Sequence, residues 1–74
     1  MTCLEIASQL YANNVLTKNT SIVFRDSNDT TLVTFNNMTD FFKNSTFIQY
    51  ANTEFLAFHF IKSSNQLRIT IATI

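Results

Sequence analysis

The chain has 74 residues, enough for one domain over 1–74, and a domain of that size buries only about 60 to 65% of its unfolded surface, so nearly every apolar residue is needed inside. Hydrophobic residues make up 46% and charged ones 14%, with eight Phe, which excludes the low-hydrophobicity, high-charge composition of disordered chains. Five basic residues balance five acidic ones, a count that argues against both a phosphate-neutralising surface and an acidic mimic of DNA.

Residues 2–14 read as a helix. Thr2-Cys3-Leu4-Glu5 has the form of a capping box, in which the Thr hydroxyl accepts from the Glu amide and the Glu side chain reaches back. Cys3, Ile6, Ala7, Leu10 and Tyr11 then recur at three- and four-residue spacing, and Asn13-Asn14 supplies the ending that Gly supplies elsewhere.

From Ser21 to Asn36 the period changes to two. Ile22 and Phe24 share one side of a strand, Val33 and Phe35 one side of the next, and Asp26-Ser27-Asn28-Asp29-Thr30 closes a hairpin without Gly. With Asn28-Asp29 at the tip, Phe24 faces Val33 and Ile22 faces Phe35.

A second helix is expected next. Asn37 caps it, Asp40 falls at its third position, and Met38, Phe41, Phe42, Ser45 and Ile48 share a face, although Asn44-Ser45-Thr46 are weak helix formers at which it could break.

A second hairpin joins Phe55–Lys62 to Leu67–Thr73 through Ser63-Ser64-Asn65-Gln66. Centred on Ser64-Asn65, it pairs Phe60 with Ile69, Phe58 with Ile71 and Lys62 with Leu67 on one face, and Ile61 with Arg68, His59 with Thr70 and Ala57 with Ala72 on the other.

The fold expected is therefore α+β, a tandem αββ-αββ chain with two helices packed on one face of a four-stranded, mainly antiparallel sheet. Its core draws on Ile6 and Leu10; on Ile22, Phe24, Val33 and Phe35; on Phe41, Phe42 and Ile48; and on Leu56, Phe58, Phe60, Leu67, Ile69 and Ile71.

Chemistry-bearing constellations are missing from this pattern. His59 is the only histidine and alternates outward, so no second imidazole shares a metal with it, and nothing marks Cys3 as an activated nucleophile. The carboxylates Glu5, Asp26, Asp29, Asp40 and Glu54 stand mostly where caps and turns need them. Asp26-Ser27-Asn28-Asp29 lacks the spacing, the Gly and the terminal Glu of a calcium loop, and a chain with no Gly has no Gly-rich phosphate loop. No enzyme activity, cofactor or metal is expected. A lone cysteine, and no export signal or apolar run of about 18 residues, lead to the expectation of a soluble protein in a reducing, cytoplasmic compartment. Four Asn-X-Ser/Thr matches, at Asn19, Asn28, Asn37 and Asn44, follow from a composition crowded with Asn, Ser and Thr.

What remains for function is the second sheet face, a mixed surface of aliphatic, Thr and Arg residues. Arg25, Leu32, His59, Ile61 and Arg68 are the candidate partner-binding residues, with Arg as the kind of anchor that protein interfaces favour. The bland reading of the same residues is a solvated, Thr-rich antiparallel face. Absent Gly and Pro with abundant Phe, Ile and Asn suit AT-rich coding, as in a low-GC bacterium, its phage or its plasmid. The leading expectation is a non-enzymatic protein-protein interaction module, an accessory protein of a phage or mobile element that binds and inhibits a host or defence-system protein, and that also forms a homodimer. The alternative is a small nucleic-acid-binding or transcription-regulatory module.

Overall fold

The computed structural model describes residues 2–44, 50 and 52–72. Helix α1 spans Cys3–Ala12. Its capping box is formed as the sequence implies: the Glu5 amide donates to Thr2 Oγ1 at 3.2 Å and the Thr2 amide to Glu5 Oε1 at 2.9 Å. The helix ends two residues short of the expected boundary, because Asn14 takes the left-handed conformation (φ 63°). Asn14 N–H then reaches Tyr11 O and Val15 N–H reaches Leu10 O, the paired bonds of a Schellman ending built on Asn in place of Gly.

Strands β1 (Ser21–Arg25) and β2 (Thr31–Phe35) form the first hairpin, with Ile22 opposite Phe35 and Phe24 opposite Val33, as their alternation requires. Asp26 builds the turn. Its Oδ1 accepts from the amides of Asn28 (2.9 Å) and Thr30 (3.0 Å), and Asp29 adopts φ 64° at the tip. Next to the turn the register slips, Arg25 pairing with Thr31, so that Leu32 is the extra residue of a bulge.

Helix α2 is Met38–Asn44, capped by Asn37, whose Oδ1 accepts from the Asp40 amide at 2.7 Å. Met38 and Phe41 are fully buried, whereas Phe42 is exposed and lies against the Tyr11 ring, 5.7 Å between centroids. Ser45 and Ile48, assigned to the same stripe by spacing, lie outside the described residues, as does the question of a break at 44–46.

The second hairpin comprises β3 (Phe55–Ile61), a 3₁₀ turn at Lys62–Ser64, and β4 (Gln66–Ile71). Asn65, at φ 50°, closes it. Lys62 therefore leaves the strand, and Phe60 pairs with Leu67 and Phe58 with Ile69, two residues away from the register expected of a turn centred on Ser64-Asn65. A shift of two keeps every side chain on its own face. A bulge between Phe55 and Ala57 does not: Leu56 is unpaired and 60% exposed, and half-buried Phe55 packs against the core in its place.

The strand order is β2-β1-β4-β3, with β1 and β4 parallel and both hairpins antiparallel. This is a mixed, four-stranded α+β sheet. Register aligns Val33, Phe24, Ile69 and Phe58 in one row and Phe35, Ile22, Leu67 and Phe60 in the next. Their side chains share a face. The residues of central β1 and β4 in these rows are fully buried, while Phe58, on the edge strand β3, remains 42% exposed and is not the core residue its alternation implied. One hydrophobic cluster unites this face with Cys3, Ile6 and Ala7 of α1 and Met38 and Phe41 of α2. Phe24 sits among the rings of Phe35, Phe41 and Tyr50 at 6.0–6.2 Å.

Candidate functional site

The opposite face carries the alternate residues. Thr34, Val23, Arg68 and His59 form one row across all four strands, and Thr31, Arg25, Thr70 and Ala57 the row beside it. Between them opens a groove of about 350 Å³, lined by Val23, Arg25, Thr31, Thr34, Gln66 and Arg68. Val23 is only 7% exposed and forms an apolar floor, whereas Thr31, Thr34, Arg68 and His59 are exposed.

The two arginines are held differently. Arg25 Nη2 donates to the Asp29 carbonyl at 2.7 Å and lies 4.0 Å from the Asp29 carboxylate, so the hairpin turn fixes the guanidinium. Its Nε is buried and has no hydrogen-bond partner among the described residues. An orphaned buried donor costs about 1–3 kcal/mol. Arg68 Nε donates to Gln66 Oε1 at 2.9 Å, which orients its planar fork, and among the described residues its terminal nitrogens have no partner.

The carboxylates belong to α1 (Glu5), the first turn (Asp26, Asp29), α2 (Asp40) and the residue before β3 (Glu54), and none stands in the two outer rows. The cations of this face are Arg68, with the His59 imidazole opposite it, and Arg25, which the Asp29 carboxylate approaches to 4.0 Å.

Of the residues singled out by sequence, Arg25, Arg68 and His59 come together here. Ile61 pairs with Gln66 at the end of the same face and is half-buried. Leu32 does not join them, because the bulge turns it to pack against the core cluster. Thr31 and Gln66 line the groove unforeseen: the same bulge brings Thr31 opposite Arg25, and the register shift draws Gln66 out of the expected turn into β4.

Other chemistry is meagre. Cys3 is buried in the core, where desolvation pushes its thiol up to about 11, so it is protonated at neutral pH and stands on the other side of the sheet from His59. Among the described residues no three of His, Cys, Asp and Glu gather into a metal-binding group, and no helix is long and apolar enough to cross a membrane. Fold and face together define a small α+β domain with a mixed sheet and an arginine-bearing outer groove. Comparison with protein-family models, with curated protein sequences and with solved structures gives no match.

Proposed function

We propose that the protein is a non-enzymatic binding module that engages a protein partner with the outer face of its sheet, while both helices cover the inner face. The observation that carries this reading is the groove between Arg25 and Arg68, where a buried guanidinium donor lacks an acceptor beside a second, oriented guanidinium. Arginine on an aliphatic and Thr surface suits a protein interface, since it supplies fixed donors and apolar contact together. The compositional bias fits an accessory protein of a phage or mobile element, acting in the cytoplasm by binding and inhibiting a host or defence-system protein.

A substitution on the face tests the proposal directly. Thr34→Glu and Arg68→Glu change exposed positions on two different strands, so the fold should survive. Each should abolish capture of the partner that wild type withdraws from a host lysate, with melting temperature within a few degrees of wild type. Capture that persists in both variants would move the binding surface elsewhere.

A further inference from the structure

Resting on the outer face as the binding surface, we infer that the partner contributes an acidic segment, and that a carboxylate of that segment enters the groove between Arg25 and Arg68. The groove offers more donors than acceptors. Arg68 brings its terminal nitrogens and Thr31 and Thr34 hydroxyls that can donate, beside the Arg25 guanidinium that the Asp29 carbonyl holds in place. A planar guanidinium matches a carboxylate in two parallel bonds, and Gln66 holds the Arg68 fork ready for that geometry. The Val23 floor accepts the methylene of an Asp or Glu side chain beneath its charged end. At about 350 Å³ the groove admits one or two side chains, not a folded surface.

Charge decides between occupants. A second copy of this chain laid face to face would gather four arginines, with only the Asp29 carboxylates already beside Arg25 to answer them. Nucleic acid draws its affinity from many neutralised phosphates, and two arginines on a chain of zero net charge release few counterions. An acidic protein segment needs only the local match.

The test is a nitrogen-15 NMR titration of the whole chain with three probes: a short Glu/Thr peptide, its Gln/Thr counterpart, and an oligothymidine. The acidic peptide should shift the amide signals of Val23, Thr34 and Arg68 and bind about tenfold more tightly than the Gln peptide, as expected for a bidentate charge-assisted pair. Added salt should weaken it. Arg68→Gln, at an exposed position, should remove most of that preference while leaving the remainder of the spectrum intact. Arg25→Gln should do the same, and if it disturbs the hairpin turn, Arg68→Gln alone decides. Equal binding of both peptides at these residues would overturn the charge inference and leave the outer face standing as the interface. Shifts confined to α1 and α2, or none at all, would overturn both. Tighter binding of oligothymidine at the groove, falling steeply with salt, would reassign it to nucleic acid.

Discussion

The Thr20 hydroxyl donates to Asn65 Oδ1 at 2.8 Å across 45 positions of sequence, and Thr20 Oγ1 accepts from the Thr17 amide at 2.8 Å. Thr20 is fully buried, and Asn65 returns a second bond from Nδ2 to Thr17 Oγ1. The loop before β1 is thereby tied to the turn before β4, the two strands whose parallel pairing joins the hairpins. Thr20→Val keeps the shape and removes the hydroxyl, so it should cost about 1–3 kcal/mol. Asn65→Gly preserves the left-handed backbone while deleting the amide. In a double-mutant cycle followed by urea denaturation the two changes should be coupled by at least about 0.5 kcal/mol. Strict additivity would show that the bond contributes nothing to docking the hairpins.

Alternation places Ile22, Phe24, Phe35, Leu67 and Ile69 on the buried face because each lies in a regular stretch of strand, where a period of two leaves no choice of side. Leu32 and Leu56 break the same rule. Both are bulge residues, and a bulge without Gly or Pro leaves no mark in composition. Phe58 fails for another reason. Its face is right but its strand is at the edge, and strand order arises from pairing over long distances that local periodicity does not carry. The outer groove inherits both effects, since Arg25 and Arg68 follow from alternation alone, whereas Thr31 and Gln66 depend on a bulge and a register shift.

Exposure alters what aromatic substitutions should do. Phe24, fully buried among three rings, should lose about 3–5 kcal/mol on replacement by Ala, enough to unfold most of so small a domain. Phe58→Ala should cost less than about 2 kcal/mol and His59→Ala almost nothing. Thermal melts of the three variants check the ranking, and equal losses at Phe24 and Phe58 would contradict the edge position of β3.

Glu5 makes the domain acid-sensitive at one end. Its carboxylate is held below the ordinary 4.5, first by the hydrogen bond from the Thr2 backbone amide and then by the Thr2 side chain. A depressed folded-state value means that the contribution is complete above pH 4.5 and disappears as pH falls through the folded value. Glu5→Gln keeps a capping-box partner without the charge. The gap in melting temperature between wild type and this variant should be widest near neutral pH and should close in acid. A gap that stays constant with pH would remove the charge from the account of the cap.

Cys3 should report global opening. Burial lifts its thiol from 9.0 to about 11, so the folded state keeps the proton and alkaline pH between those values should favour unfolding. At mildly alkaline pH iodoacetamide should label Cys3 only as fast as the domain unfolds, and labelling should accelerate in parallel with urea-induced loss of structure. Rapid labelling under native conditions would mean that the start of α1 opens on its own.

The last prediction concerns the free edge of β3. Natural edge strands are blunted by charge, Pro, bulges or shortness. The β2 edge has five residues with a bulge; Phe55–Ile61 also has a bulge, at its start, but is seven residues long, has no Lys, Arg, Asp, Glu or Pro, and exposes Leu56 and Phe58. Antiparallel self-pairing centred on Phe58, beyond that bulge, would set Phe58 against its equivalent on the inner face and Ala57 against His59 on the outer. Two copies should therefore join edge to edge into one eight-stranded sheet, leaving the arginine grooves of both open. Few side chains are buried in such a contact and association entropy opposes it, so a dissociation constant on the order of micromolar is expected. Light scattering over a dilution series should show the average mass falling from dimer towards monomer. Phe58→Lys puts a charge on the edge and should give a folded monomer at every concentration, while Arg68→Gln should leave the dimer unchanged. A wild-type chain that stays monomeric at high concentration, or a Phe58→Lys variant that dimerises as wild type does, would rule out this edge as the contact.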